Sequence, residues 1–504
     1  MRHTRFGAPS NPRYTAGATL TVSLTCNSKE SVLNRLYTPL AVSALLGIVG
    51  CHGALASITI ENIRSGETLR YPVALLRGSA SNGAALQAHN LDNRSPDGTN
   101  SAPVENGHFK VLVELKPGKN RVQLRAGADR KEISIQYLPA TTPYRLNAVY
   151  VTAAEGVTDY ITQKPNDKQN FRDKLDTALK LMQTFTAERL NDVGLGRKTF
   201  NLEFDAVGKV VVHVVKYPSP AATLLTKNGN QLYDLFYDWI DRQFSMQTNK
   251  NVVLMAFTDY DPVKKIARGH TALGGGGQGL FSVNSMCSWP DNIRDVQRAF
   301  SDSSRVDDTK IADDTAYRGT LWSLASTGIG ATLHEMGHTL GLPHSPDGES
   351  IMSRGFDHFN RAFTVTEAPS NEHRTTLAFR DDQIAYWDPP FAARLSVHQW
   401  LQPDPVKLKT DTPPTVTLSA DGETLIVRAP YGIRCVEFAP PDIESQPRTR
   451  RHFDIFTTSE PTDKRYSRAE MRKITSSPAG LDVVVTDLQG NIIKVSEVGL
   501  KPTP

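Results

Sequence analysis

Three histidines and one glutamate within Thr332–Met352, TLHEMGHTLGLPHSPDGESIM, have the types and spacing to do chemistry. His334 and His338 are four residues apart, so on a helix they share one face. Two imidazoles arranged this way can hold one zinc ion. Glu335 follows the first of them directly and can reach a water on the metal. Gly341 lets the backbone turn sharply, because a residue without Cβ takes positive φ at no steric cost. That turn can return His344 as a third ligand. Three protein ligands and an open fourth position are what a catalytic zinc site needs. The chemistry expected is hydrolysis by an activated water, with Glu335 as general base and later proton donor to the leaving amine. The plain alternative is a satisfied cluster of core histidines. Three His, a Glu and a Gly in register, with a Met eight residues after the last His, argue against it.

The spacing HExxHxxGxxH is identified as the metzincin pattern. HEMGHTLGLPHS resembles its matrixin form, including Ser345 after the third His. More broadly, GGGG…LFS…SWP, PHS…SIMSRGFDHFNRAF and the β-rich tail resemble the "Metallopep" peptidase family. The resemblance implies one catalytic zinc ion and a protein or peptide substrate. It implies that Met352 lies beneath the metal as a floor without binding it. It also implies a sheet-edge strand upstream of the zinc helix that pairs with extended substrate. That strand is expected at Gly279–Asn284, with Gly279, Leu280, Phe281 and Ser282 presenting backbone for β-augmentation. A flexible glycine loop feeding a core strand is the other reading of LGGGGQGLFSVNSMCSWP; no GK[ST] follows, so it is not a phosphate-binding P-loop. Two departures stand out. Arg354 occupies the position two after the Met, where several metzincins carry a Tyr, and no propeptide cysteine switch of the matrixin kind is present. His270, His358 and His373 belong to the same region but read as ordinary histidines.

The elements that must position these residues fall between about 144 and 405. Leu146–Thr152 reads as a buried strand. Asn166–Leu190 reads as an amphipathic helix, with Phe171, Leu175, Leu179, Met182 and Phe185 at three- and four-residue steps. Strands at Thr199–Phe204 and Lys209–Lys216, a helix at Gln231–Phe244 and a strand at Asn251–Phe257 follow. This order implies a mixed α/β domain. The zinc helix is expected over Trp322–Leu340, with Ser326 or Thr327 as its N-cap. Leu377–Leu401 reads as mostly helical, broken at Pro389-Pro390, and the wall beyond the helix as Ile351–Phe363.

Around it, the chain reads as multidomain. Residues 57–139 alternate apolar and polar residues in short runs separated by turns such as Asn106-Gly107 and Pro117-Gly118. This predicts a small β-sandwich-like domain acting as a packing or spacer module, with LKPGKNRVQL as a hairpin. Pro139–Pro143 reads as a linker. Residues 406–504 predict a second β-sandwich-like or β-rich domain, with Asp421-Gly422 at a hairpin and another turn at Asn491. The fold class expected is therefore an α/β (α+β) metzincin-like catalytic domain flanked by two small β domains.

Residues 1–56 read as a leader. The apolar run Leu40–Val49 has the length of a signal-peptide core and is too short to span a bilayer. Ile48-Val49-Gly50-Cys51 resembles a lipobox, which would lipidate Cys51 and anchor the chain to a membrane. Ala54-Leu55-Ala56 resembles a cleavage site that would release a soluble secreted protein. A buried, unprocessed segment is the third reading. The chain has 504 residues, 39% hydrophobic and 22% charged, and a formal charge of +4. That charge calls for neither nucleic acid nor an anionic membrane. A monomer is expected. Four cysteines are too few for a disulfide scaffold, and Cys287 and Cys435 are candidate free thiols or a candidate pair. Two rivals to a peptidase remain: an adhesion or glycan-binding protein on a metzincin scaffold, and a zinc hydrolase of non-peptide amides.

Overall fold

Short runs of β-branched and aliphatic residues become strands along most of the chain in the computed structural model, which describes residues 58–95, 98–439, 451–474 and 481–498. The leader reading, with Cys51 and Ala54–Ala56, lies outside the described residues. Among the described residues no helix is long and apolar enough to cross a membrane.

The first eight strands are β1 (Ile58–Ile60), β2 (Thr68–Leu69), β3 (Val73–Ala80), β4 (Ala85–Asn90), β5 (Thr99–Pro103), β6 (His108–Glu114), β7 (Gly118–Ala126) and β8 (Asp129–Tyr137). They form two sheets, β1-β3-β6 and β2-β8-β7-β4-β5. Ala74, Leu76, Val111 and Val113 face Leu86, Leu124 and Ile135 in one core. The alternate residues Val73, Leu75 and Leu112 point the other way and join the central core of the molecule. LKPGKNRVQL is not a hairpin: β6 pairs with β3, whereas β7 pairs with β4 and β8, so Pro117-Gly118 carries the chain from one sheet to the other.

The central sheet is built from β9 (Arg145–Thr152), β10 (Val212–Lys216), β11 (Asn249–Met255), β14 (Ala272–Gly275) and β15 (Gln278–Ser282), in the order β10-β9-β11-β15-β14. A separate two-stranded ribbon, β12 (Asp259–Asp261) and β13 (Ile266–Arg268), precedes β14. The first four strands of the central sheet run parallel and β14 runs antiparallel at one edge. The expected strand at Thr199–Phe204 reduces to isolated bridges at Leu202 and Phe204. The substrate-edge expectation also needs correction. Gly279, Leu280, Phe281 and Ser282 belong to β15, which is hydrogen-bonded on one side to β11 and on the other to β14. A strand with two neighbours has no backbone left to offer, so the edge is Ala272–Gly275.

Helices cover both faces. After α1 (Phe171–Asp192) and the short α2 (Ala221–Leu224) comes α3 (Gly229–Gln243), whose Leu232, Phe236 and Ile240 pack on Val149, Val151, Val253 and Met255. The intervening residues Ala148, Tyr150, Val252 and Leu254 face α1 and, past the short α4 (Val296–Ala299), α5 (Leu321–Thr339). Helix α5 starts one residue earlier than expected. Thr320 precedes it, its N–H donating to the Ser323 hydroxyl. Ser326 and Thr327 lie inside the helix, where their hydroxyls bond to Asp357.

A small ribbon, β16 (Thr366–Glu367) with β17 (Leu377–Ala378), leads to α6 (Pro389–Val397). Pro389 and Pro390 begin this helix rather than break it, since the first turn needs no N–H from them. The tail contains β18 (Thr415–Leu418), β19 (Thr424–Arg428), β20 (Ile433–Ala439), β21 (His452–Ile455), β22 (Asp463–Ser467), α7 (Arg468–Ile474), β23 (Leu481–Asp487) and β24 (Ile492–Val498). Its sheets are β18-β19-β22 and β21-β20-β23-β24, and both hairpins expected there form. Contacts knit the described residues into one compact unit. Cys287 and Cys435 are buried free thiols, not a pair.

Candidate active site

Helix α5 is buried along nearly its whole length, and its last turn carries His334, Glu335 and His338. Gly341, with φ of 77°, reverses the chain just beyond the helix end and brings His344 back. The Nε2 atom of His338 lies 3.1 Å from that of His334 and 3.2 Å from that of His344. Zinc–nitrogen bonds of about 2.0–2.1 Å at tetrahedral angles separate two ligand nitrogens by roughly 3.3 Å, so the spacing fits one ion. The other ring nitrogens are already committed. Nδ1–H of His334 donates to the Ile351 carbonyl at 2.7 Å, and Nδ1–H of His338 to the Leu342 carbonyl at 2.8 Å. These bonds fix the tautomer and leave each Nε2 a lone pair aimed at the shared centre. The freed Nε2 atoms of His334 and His338, converging with Nε2 of His344, form a donor set for a cation. Among the described residues, His334, His338 and His344 are the one group of three or more such side chains with this convergence.

Electrostatics agree with that donor set. Burial, followed by the neighbouring His338, pushes the His334 pKa down to about 3. Burial likewise pushes His338 down to about 4, so both imidazoles are neutral at neutral pH. Glu335 is 8% exposed, and burial lifts its carboxyl to about 8 in the metal-free chain. A nearby dication acts in the opposite direction and favours the ionised carboxylate.

The ligands sit in a cleft of ≈ 510 Å³ whose walls include Ala272 of the edge strand, Glu335, Met352, Arg354 and Phe356. Met352 is fully buried under α5; a Cβ added at Gly337 would lie 2.2 Å from its sulfur. The Met352 carbonyl accepts from the N–H of Ser345, and the preceding Ile351 carbonyl holds His334, so the loop after the third His orients two ligands through its backbone. The edge strand is pressed on the helix: a Cβ at Gly274 would lie 2.1 Å from the Glu335 carbonyl oxygen. The structure therefore brings together every predicted residue of the histidine motif and Met352. It replaces the predicted strand edge Gly279–Ser282 by Ala272–Gly275.

Three supporting groups were not legible beforehand. The Ser345 hydroxyl donates to the buried Asp388 carboxylate, which Arg451 of the tail also engages. The Tyr233 hydroxyl of α3 donates to the Gly275 carbonyl at 2.9 Å and pins the turn between β14 and β15. Asp357 collects Thr327, Arg318 and Arg354 beside the cleft. Apart from Arg354, three residues from Asp357, their partners are 30 or more residues away, so no local pattern announces them.

Residues 57–426 match the model of the Metallopep family, described as a "Putative peptidase family". The chain belongs to this family. It is 29% identical to a "Putative zinc metalloproteinase" of Schizosaccharomyces pombe over 342 residues, 62% of this chain and 55% of the relative. A second protein of the same description, from Saccharomyces cerevisiae, is 25% identical over 359 residues, 64% of this chain and 51% of the relative. The chain spans about half the length of these curated relatives. Among solved structures, OgpA of Akkermansia muciniphila aligns with TM-score 0.44 and 15% identity, over 70% of this chain and 92% of that one. The archaemetzincin of Methanopyrus kandleri aligns with TM-score 0.21 and 15% identity, over 43% and 87%. Scores this low carry no weight for fold or function, and the family match stands without them.

Proposed function

We propose that this chain is a zinc metallopeptidase that hydrolyses peptide bonds, with His334, His338 and His344 as ligands and Glu335 as general base. The observation that carries the reading is the convergence of three imidazole Nε2 atoms beside one buried carboxylate in an open cleft. Family membership and the descriptions of the two relatives support it. Zinc held there supplies Lewis acidity, which acidifies a water and polarises the scissile carbonyl. The chain's own residues do the rest. Glu335 takes a proton from the attacking water and delivers it to the leaving amine. Its burial in an apolar wall raises its basicity and suits it to hold that proton between the two transfers. The free backbone edge of Ala272–Gly275 aligns an extended peptide across the cleft by β-pairing, with Gly274 seated directly against the Glu335 backbone. The leader reading adds the proposal that the protein is exported, either secreted or anchored through Cys51, which N-terminal sequencing of the mature chain tests.

Metal analysis together with peptide cleavage by Glu335→Ala and His338→Ala tests the assignment. His338→Ala loses bound zinc. Glu335→Ala keeps zinc and loses about 10²–10⁴-fold in rate. Cleavage by Glu335→Ala at the wild-type rate overturns the mechanism, and zinc binding without cleavage of any peptide or protein substrate overturns the peptidase reading.

A further inference from the structure

Arg354 is the one lysine or arginine among the residues lining the cleft. Its surroundings determine whether that charge is available. One guanidinium N–H of Arg354 lies 2.6 Å from an Asp357 oxygen, an ion pair that taken alone would cancel the charge. Asp357, however, serves two arginines. Arg318, 2% exposed, lies 3.3 Å from the other Asp357 oxygen and also donates to the Asp357 carbonyl at 2.7 Å and to the Thr327 hydroxyl. The three side chains together carry one net positive charge. Arg318 is sealed inside, so the surplus is presented by Arg354, which is 62% exposed.

The position of that charge is fixed by an aromatic shelf. The guanidinium carbon of Arg354 sits 4.7 Å above the centre of the Phe356 ring, and Phe356 meets the His334 ring edge-on at 5.3 Å. The guanidinium therefore lies within about 10 Å of a ligand imidazole. Extended chain advances about 3.3–3.6 Å per residue, so this places Arg354 within two or three residues of a scissile bond.

We propose that Arg354 is a specificity-determining residue that selects substrates carrying a carboxylate within three residues of the cleaved bond. This rests on the peptidase reading above and adds the substrate class. A planar guanidinium held at one N–H by Asp357 retains an edge that matches a carboxylate in bidentate fashion. The carboxylate can come from an Asp or Glu side chain or from a free C-terminus of a short peptide.

The experiment uses one peptide frame in which Glu, Gln or Lys is placed in turn at each of the three positions on either side of the cleaved bond. Each peptide is made with a free and an amidated C-terminus. At one position the wild type cleaves the Glu peptide with kcat/KM at least about tenfold above its Gln counterpart. Arg354→Gln brings that ratio close to one, and Arg354→Glu inverts it in favour of Lys. If the ratio depends on the terminal group and not on internal Glu, the source is the C-terminal carboxylate. A ratio that neither substitution changes overturns the proposal. So does an equal fall in kcat on all peptides, which would assign Arg354 to the reacting oxygen instead. Fluorescence anisotropy of the same labelled peptides on Glu335→Gln, with and without Arg354→Glu, reads the preference without turnover. If no peptide is cleaved but the charge preference in binding follows Arg354, the peptidase reading fails and the anion site stands.

Discussion

Gly274→Ala tests the contact between the edge strand β14 and helix α5, the proposed substrate edge and zinc helix. A Cβ at Gly274 would lie 2.1 Å from the Glu335 carbonyl oxygen, 2.8 Å from its carbonyl carbon and 2.9 Å from its Cα. Ordinary contact begins near 3.4 Å, so strand and helix must part by about 1.3 Å. All three obstructing atoms are backbone, and no rotamer change relieves them. Neither side moves freely: β14 is tied to β15 through the Leu273–Leu280 and Gly274–Gly279 pairs, and α5 is buried on all sides. Overpacking of this kind costs about 1–3 kcal/mol. A 1 Å displacement of a positioning element costs about 10²-fold in rate. The assay is a urea melt paired with kcat/KM on a cleavable peptide, with metal content measured in parallel. Metal should be retained, because His334 and His338 are oriented by Ile351 and Leu342 rather than by β14. Gly348→Ala is the matched control, with nothing within 4 Å of its added Cβ. Unfolding within about 0.5 kcal/mol and activity within about twofold of wild type would refute the argued contact.

Three further outcomes follow from buried charge. In the metal-free protein Glu335 has a folded pKa of about 8 against 4.5 in the open chain, so its stability contribution is present below pH 4.5 and is lost as pH rises toward 8. Chelator-treated Glu335→Gln should therefore gain on wild type across that window, by on the order of a few kcal/mol, and level off above it. His334 and His338 work in the opposite sense: their pKa values fall to about 3 and 4, so metal-free stability drops as pH falls below 6.5 toward that range. At the other side of the site, Arg451→Ala leaves the buried Asp388 short of its cation, while Glu437 keeps Arg394. The expected cost is about 3–5 kcal/mol in a urea melt. Chelator competition should also show weaker metal retention, through the loosened Ser345 next to His344. Arg451→Lys should restore only part of both, since an ammonium cannot bridge two carboxylates as a planar fork does.

The metal ligands were legible because the site is local: four residues of one helix turn and one reversal hold all three imidazoles and the base. The edge strand was not. Ala272–Gly275 is mostly small residues and glycine, so it carries no alternation of side chains from which to read a strand, whereas the adjoining GLFS does. Which of two hairpin strands is outermost depends on β11 choosing β15 as its neighbour, a pairing across some 27 residues of sequence. The start of α5 was misjudged for a related reason. Ser326 and Thr327 have cap-forming side chains, but their partner is Asp357, 31 and 30 residues ahead. Helix α1 shows the limit of periodicity itself. Its apolar spacing marks one buried face, yet Lys174, Asp176, Lys180 and Glu188 are buried as well. Lys180 and Glu188 pair with Glu114 and Tyr71 of the amino-terminal sheets, Lys174 with Asp291, and Asp176 with Lys180 and Lys209.

That second covering makes the strands from Ile58 to Tyr137 pack into the central core rather than act as a spacer beside it. Lys180 lies 2.6 Å from Glu114 of β6, and Glu188 accepts from Tyr71 at 2.8 Å and from Arg197 at 2.6 Å. Thr184 donates to the Val73 carbonyl, so the helix is bonded to the edge of β3 as well. Val73, Leu75 and Leu112 complete the central core. At about 1.5–3 kcal/mol each, these three aliphatic side chains contribute roughly 5–9 kcal/mol of burial. That is comparable with the whole net stability of about 5–15 kcal/mol expected of a folded protein. A chain beginning at Ala140 should therefore fail to fold cooperatively: a broad, low-amplitude urea transition, exposed apolar surface by dye binding, and no tightly held metal. A sharp transition with one equivalent of metal retained would show that the catalytic sheet stands alone, and that the first two sheets are the separable module their turn-rich sequence suggests.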